Sequence, residues 1–576
     1  MDYLKKNTTY VIIMGFLILC LCMYFVNLGS YSFVDTDETR FVSIAKEMLN
    51  NSDWVNVKLN GENYFKYPPF LFVLVNFFCL IFGKISAEVV RMPISLTCII
   101  GCVFLFLSLR KILTRFYSML ITLIFSTSLG MLVFSRLVTV DILFVIYTMS
   151  AILCSYRILL SRDEKYNGLL KVFVFLFIAM STMTVGLLGF LVPFFTILTM
   201  HIFAGKLKDL FALKNVFWGG LLFLFFVLPW HFSMLSKHGF EFFTEYFSVY
   251  NFFQYLKFKN IFVVLGLLIL GFLPWSFTFL WIIAKRFRNI LASFLLYFKD
   301  NSQEKLKYKW EKLRKIEKFL SLSTIVFFTS LVFSVLYGVK FTYLILFQIF
   351  PASCISGYFW YRYIVKKENE TSMFLPIMIP SIAFVIASIL GLFGHNFINT
   401  VVMHELKALI APLVVIFLVL PIISIFSVLL NGRVQVFISN LMLMFLLSFV
   451  LTPIVFNFIM LNKGEQDLIY FSTYANQENI DIAAFIPSKK YSITYYYDKP
   501  VLFSQDTDFE WLENYMRENP ESYVITEIKN LWEIEKHNIA YFLIASGKRY
   551  CLIQYLPPEY IEEKQKEETK NNTIKL

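Results

Sequence analysis

The chain is 576 residues long, 58% hydrophobic and 19% aromatic, with 16% charged residues. Soluble domains carry about a quarter charged residues, so this composition excludes a soluble globular protein and points to a polytopic membrane protein. The net charge of +12 would suggest nucleic acid as a partner in a soluble chain, but here the lysines and arginines gather in short connections between apolar stretches. That is the positive-inside pattern of a membrane protein, and it leaves membrane lipids rather than nucleic acid as the environment.

A span needs about 20 apolar residues. The first such stretch, Tyr10 to Val26, follows Lys5 and Lys6 and has no small-residue cleavage site after it. It reads as a retained anchor with a cytoplasmic N-terminus. With this first span placed near 10–28, further spans are expected near 88–109, 116–135, 141–160, 214–233, 260–284, 319–338, 342–361, 373–393, 408–430 and 436–460, and the run 171–205 is long enough for two short helices turning at Thr184 to Gly186. The total is thirteen transmembrane helices.

With the N-terminus inside, the basic connections 110–115, 162–171, 206–214, 285–318, 362–367 and 431–433 all fall on the cytoplasmic side. An odd number of spans then places the chain beyond Leu461 outside. The segment "YPPFLFVLVNFFCLIFG", 67–83, is apolar but short and opens on Pro68 and Pro69. As a span it would invert every later basic loop, so an interfacial or re-entrant helix is expected there.

Three regions follow: a transmembrane region 1–460 with a first extracytoplasmic loop at 29–83, a small extracytoplasmic α/β domain at 461–560, and a disordered charged end at 561–576. In the second region, "AAFIP", "YSITYYY", "SYVITE", "IAYFLIAS" and "YCLIQY" read as short strands, and "TDFEWLENYMREN" reads as a helix. Seven of the eight cysteines lie in apolar segments and Cys551 lies in the polar tail. No zinc-type spacing occurs among them, so they read as small core residues.

The first outer loop carries the unusual chemistry. In "VDTDETRFVSIAKEML", 34–49, Phe41, Ile44, Ala45, Met48 and Leu49 recur at helical spacing, so a helix is expected to start at Asp37, with Asp35 or Asp37 as its N-cap. Capping does not account for Arg40 one turn later, or for the basic and aromatic cluster "NYFKYPP", 63–69, that closes the loop with Lys66. The expected topology also puts Asp141 of "SRLVTVDILF" on the outer side. A carboxylate at membrane depth is costly unless it is paired or used. A carboxylate beside fixed cations suits a reaction in which a hydroxyl loses its proton to a general base while a phosphate leaves against positive charge.

The ordered set "DETRFVSIAKEMLNNSDWVNVKLNGENYFKYPPF", "FGKISAEVVRMP", "SRLVTVD", Pro229-Trp230, "GFLPW" and "VKFTYLILFQIFP" resembles the GT-C membrane glycosyltransferases. The similarity is to the bacterial aminoarabinose (lipid A) transferase-like enzymes and the wider protein O-mannosyltransferase superfamily. The resemblance implies an α-helical polytopic fold with a small C-terminal domain in a bacterial-type plasma membrane. It also implies inverting transfer of a sugar from a polyprenyl (undecaprenyl-type) phosphate to a lipid, glycan or protein acceptor on the outer face.

Carried across by residue, Asp37 matches the catalytic aspartate, Arg40 its partner and Asp141 the second acid, while Lys66 and Tyr67 occupy the lipid-phosphate position. Glu38, Tyr64, Arg91, Lys340 and Tyr343 are further candidates. The family usually has Glu-Lys-Pro where this chain has Lys66-Tyr67-Pro68, Thr-Lys-Gly where it has Thr184-Val185-Gly186, and an arginine where it has Gln254. Cations that would hold a phosphate are thus moved or replaced, and an aminoarabinose donor is not implied.

No cofactor is required by this reading, although Asp37 and Asp141 suit a divalent cation, which some relatives use. His231 reads as a hydrogen-bonded packing residue or a base, and His395, His404 and Glu405 as an outer loop able to bind a metal. A transporter or flippase of a lipid-linked sugar would share the spans and the acid, but no internal repeat is visible and the charges cluster in an outer loop rather than at mid-span. A non-catalytic lipid-binding relative stays open on the displaced lysine and Gln254.

Overall fold

The computed structural model describes residues 11, 14–15, 18–20, 22–34, 37–160, 167–207, 213–250, 258–285, 310–368, 373–394 and 400–556. Asp35, Gln254, His395 and the end beyond 556 lie outside the described residues. The chain forms two compact units, one of Met1–Ser30 with Phe65–Ile454 and the other of Tyr31–Tyr64 with Val455–Leu576. The division therefore runs through the loop expected at 29–83, and the 31–64 segment belongs with the tail.

In the first unit the apolar runs form helices, six of which among the described residues are long and apolar enough to cross a membrane: Ala87–Leu109, Val140–Leu160, Gly168–Val185, Val216–Ser248, Lys315–Lys340 and Thr342–Ile364. The 171–205 run is two helices, Asn167–Val185 and Leu187–Phe203, meeting at Gly186. Gly186 has φ +72°, and a Cβ there would lie 2.1 Å from the Tyr250 hydroxyl, so both backbone and space demand glycine. The segment after Pro68 and Pro69 is the short helix Phe70–Phe82, stopped by left-handed Gly83.

Several expected spans are broken. The 116–135 run divides into Arg115–Ser126 and Leu129–Phe134, because the hydroxyls of Ser126, Thr127 and Ser128 donate back to the carbonyls of Leu123 and Phe125 and compete with the helix. The 260–284 run breaks between Phe258–Gly271 and Ser276–Lys285, where Pro274 supplies no N–H. The two breaks satisfy each other: the Leu129 N–H donates to the Leu273 carbonyl at 3.1 Å and the Trp275 indole N–H to the Thr127 hydroxyl at 3.2 Å.

The 342–361 run breaks at Gln348, into Thr342–Phe347 and Ile349–Ile364. The helix begun at 214 runs on to Ser248 with a non-helical Gly239 inside it, so "EFFTEYFS" is helix rather than loop. His404 lies in the Thr400–Leu429 helix, not in a loop.

The second unit is a three-layer α/β fold. Strands β1 (Lys58–Leu59) and β2 (Glu62–Asn63) form a hairpin in the loop segment. The main sheet comprises β3 (Ile482–Phe485), β4 (Leu502–Ser504), β5 (Tyr523–Glu527), β6 (Tyr541–Ser546) and β7 (Tyr550–Tyr555), in the order β4-β3-β5-β7-β6. β3 runs parallel to β4 and β5, and β7 runs antiparallel to β5 and β6.

Side chains alternate across each strand. Ala484 and Ile525 therefore pack with Leu468, Phe471, Ile493 and Tyr497 on one face, while Ala483 and Val524 pack with Leu512, Met516 and Ile534 on the other. "YSITYYY", expected as a strand, is the helix Tyr491–Tyr497, and its i, i+4 pair Ile493 and Tyr497 supplies the buried stripe. Cys551 is fully buried in the second of these cores.

Candidate active site

The acidic helix of the second unit is Asp37–Asn50, starting where the spacing predicts. Its apolar stripe is buried and its first turn is acidic, which suits the positive end of the helix dipole. The Asp37 side chain is 59% exposed, and Arg40, one turn on, donates to its Oδ1 at 2.6 Å. Neighbouring Glu38 is buried, and its Oε2 accepts the Val34 N–H at 2.8 Å. Glu38 thus holds the chain entering the helix and does not present a carboxylate to solvent.

Two loop features support this arrangement. Asp53 accepts the backbone N–H groups of Val55 and Asn56 at 3.1 and 2.9 Å, closing an Asx turn. Tyr64 is buried near Asp37 and Arg40; burial pushes its phenol up strongly, with Arg40 pulling the other way, so it remains a neutral hydroxyl.

In the first unit Asp141 lies in the first turn of Val140–Leu160 and is 4% exposed. Its Oδ1 accepts the Thr342 hydroxyl at 2.5 Å. Thr342 opens a short helix after the 3-10 turn Gly338–Lys340, whose Gly338 has φ +61° and no room for a Cβ beside Asn260. This turn puts Tyr343 against Phe144, with ring centroids 4.8 Å apart. The Tyr343 hydroxyl is buried with no hydrogen-bond partner among the described residues. The ionisable side chains near it are Tyr67, Tyr250, Asp141 and Tyr337.

The turn is itself braced. The Ser330 hydroxyl donates to Gln348 Oε1 at 3.2 Å, Gln348 Nε2 donates to the Ser334 hydroxyl at 3.2 Å, and Ser334 donates to the Leu344 carbonyl at 3.0 Å. All three polar side chains are buried, so the hydrogen bonds also meet the cost of placing them there.

Lys66 is exposed and Tyr67 half-buried at the start of this unit. Lys340 is exposed, with its Nζ 5.4 Å from the Phe341 ring centroid. Arg91 is fully buried and its Nη1 donates to the Leu28 carbonyl at 2.6 Å, tying two segments together. Val185, where the family carries lysine, is a buried side chain whose carbonyl accepts the Tyr250 hydroxyl at 2.8 Å. His231 is held by the Val227 carbonyl at 2.8 Å and the Tyr246 hydroxyl at 3.1 Å inside an aromatic cluster, which is the packing role.

Thr342, Tyr250 and Tyr337 were not singled out from the sequence. Thr342 stands between the two selected residues Lys340 and Tyr343, but its partner Asp141 is 201 positions away. Among the described residues, no group of three His, Cys, Asp or Glu side chains lies together.

Residues 66–232 match the dolichyl-phosphate-mannose-protein mannosyltransferase family. This stretch includes Lys66, Tyr67, Arg91 and Asp141 and begins after Asp37 and Arg40. An undecaprenyl phosphate-alpha-4-amino-4-deoxy-L-arabinose arabinosyl transferase of Yersinia enterocolitica is 26% identical over 259 residues, covering 44% of this chain and 46% of the relative. The protein of the same name from Edwardsiella ictaluri is 24% identical over 266 residues, covering 45% and 47%. The chain thus spans about half the length of the curated relatives it matches.

Among solved structures, ArnT from Cupriavidus metallidurans bound to undecaprenyl phosphate superposes with a TM-score of 0.72 at 15% identity, covering 96% of this chain and 99% of that one. The chain has the GT-C fold and resembles the aminoarabinose transferase-like membrane glycosyltransferases. It is a multi-pass membrane protein. At one position where the resemblance would imply a lysine, the chain has buried Val185.

Proposed function

We propose that this chain is a glycosyltransferase that moves a sugar from a polyprenyl phosphate to a lipid, glycan or protein hydroxyl, with inversion at the anomeric carbon. The acceptor oxygen attacks the anomeric carbon, the bond from that carbon to the phosphate oxygen breaks, and the polyprenyl phosphate leaves. Asp37 takes the acceptor proton as general base. Arg40, Lys66 and Tyr67 stabilise charge on the leaving phosphate, and Asp141, fixed by Thr342, orients the reacting groups. The proposal includes thirteen crossings, a cytoplasmic N-terminus, an outer C-terminal domain and no obligatory metal.

The observation that carries this reading is the Asp37 carboxylate, exposed at a helix N-terminus and held by Arg40 at 2.6 Å. A base must be reachable by its acceptor, and Glu38, the next acid, is not. The undecaprenyl phosphate bound to ArnT of Cupriavidus metallidurans supports a polyprenyl phosphate as the donor lipid.

The test is sugar transfer from a panel of radiolabelled polyprenyl-phosphate sugars into membranes containing the wild type or Asp37→Asn, each with and without EDTA. Label incorporated by the wild type alone, with or without chelator, supports the reading and names the donor. A wild type that binds undecaprenyl phosphate and transfers nothing overturns it in favour of a lipid-binding or flippase role.

A further inference from the structure

The acidic helix is fastened at its far half to the tail domain. Lys46, about two and a half turns beyond Asp37 on the same helix, donates from Nζ to the Tyr495 carbonyl at 2.8 Å and lies 4.5 Å from the centroid of the Tyr495 ring. It also forms an ion pair with Asp498. The Ser43 hydroxyl donates to the Tyr491 carbonyl at 3.3 Å, and Phe33, at the loop entrance, meets the Tyr495 ring edge-on at 5.0 Å. On the hairpin, the Asn60 amide donates to the Val501 carbonyl at 2.8 Å and accepts the Val501 N–H at 2.7 Å.

These contacts fall on one short element. The Tyr491–Tyr497 helix is rooted in the sheet by Ile493 and Tyr497, whose hydroxyl donates to Asp481 at 2.9 Å. Asp498 ends this helix in the left-handed conformation, φ 65°. Aspartate and asparagine tolerate that conformation best among residues with a side chain, so the acid facing Lys46 is delivered by the helix terminus itself. An unbroken line of contacts runs from the sheet core through Tyr497, Tyr495 and Asp498 to Lys46, and along one helix to Asp37. A helix of 14 residues is marginal alone in water, so its position is set by what it packs on.

We propose that the α/β domain is the positioning element of the acidic loop, with Lys46, Tyr495 and Asp498 as positioning residues that hold Asp37 and Arg40 in register. The functional half of this inference rests on the glycosyltransferase reading; the mechanical half does not.

The experiment uses the full chain in nanodiscs and three readouts: hydrogen exchange of the Asp37–Asn50 amides, undecaprenyl phosphate binding, and transfer. Lys46→Met and Asp498→Asn each speed exchange in that helix by roughly five- to tenfold, the scale of a cation held by an aromatic face and a carboxylate. Strands β3 and β5 are unaffected. kcat falls by a similar factor while binding of undecaprenyl phosphate is unchanged. Lys46→Arg restores both, and the Lys46→Met/Asp498→Asn double variant is no worse than Lys46→Met alone.

Unchanged helix exchange in Lys46→Met, or exchange that rises equally across the sheet, overturns the clamp. Faster helix exchange with undiminished kcat overturns the positioning role. If the wild type transfers no sugar, the glycosyltransferase reading falls and helix exchange alone decides the clamp.

Discussion

The two acids picked out by the sequence have opposite surroundings. Asp37 stands on a surface helix, exposed over more than half of its side chain and sharing one oxygen with Arg40. Asp141 is buried in the first turn of a membrane helix with one oxygen committed to Thr342. In the proposed reaction this contrast separates two tasks. A proton acceptor must be open to an incoming hydroxyl, whereas an orienting group must be fixed and shielded so that its field is not screened.

The largest expected effect tests the exposed partner. Asp37→Asn keeps the size and the N-terminal position but removes the base, and kcat falls about a thousandfold, within the range for losing general-base catalysis. Steady-state transfer with the identified donor measures it. Asp37→Glu, which restores a carboxylate at a displaced position, recovers part of the loss. Equal activity of Asp37→Asn and wild type would erase the distinction between the two acids.

The buried partner is expected to respond in the same parameter but more weakly. Asp141→Asn lowers kcat about a hundredfold, as misplacement of reacting groups does, and Thr342→Val lowers it about tenfold by removing one charge-assisted hydrogen bond. Thr342→Ser retains the hydroxyl and most of the rate. Arg40→Gln raises KM for the donor about tenfold and lowers kcat less, since it removes a phosphate partner and leaves the base in place. A pure kcat effect there would mean that Arg40 serves only to hold Asp37.

How far the sequence led depended on the range of the interactions. Asp37 with Arg40 lies within one helical turn, so the pair was legible from spacing. Thr342 with Asp141 spans two distant segments and could not be read from either one. Long apolar runs predicted helices correctly; the breaks at 127–128 and 272–275 have local causes in the hydroxyls of 126–128 and in Pro274, but the pairing of the two breaks, Trp275 with Thr127 and Leu129 with Leu273, exists only in the fold. "YSITYYY" has the β-branched and aromatic composition of a strand, and tertiary packing of Ile493 and Tyr497 on the sheet overrode that preference. The assignment of 31–64 to the tail unit rests on contacts such as Lys46 with Tyr495, for which the sequence carries no local signal.

The smallest expected effect sharpens the comparison by placing a third acid beside the other two. Glu527 on β5 is buried like Asp141 but paired like Asp37: Arg549 donates to its Oε1 at 2.8 Å and Lys529 reaches its Oε2 at 2.7 Å. Burial alone pushes its carboxyl up, and the Lys529 and Arg549 hydrogen bonds outweigh this, holding it below the ordinary glutamate value. A carboxyl depressed in the folded state contributes stability that is present above its unfolded value and is lost as pH falls through its folded value. Protection of the Tyr523–Glu527 amides in the full chain is therefore expected to drop between about pH 6 and pH 3 beyond the intrinsic exchange trend. Glu527→Gln removes that excess drop and lowers protection at neutral pH about fivefold, or about 1 kcal/mol, because both cations are partly exposed and rehydrate. Since Glu527 has no place in the proposed chemistry, transfer at neutral pH should change little in this variant. A loss comparable with that of Asp141→Asn would show that the tail domain contributes more to the reaction than the position of the Asp37 helix.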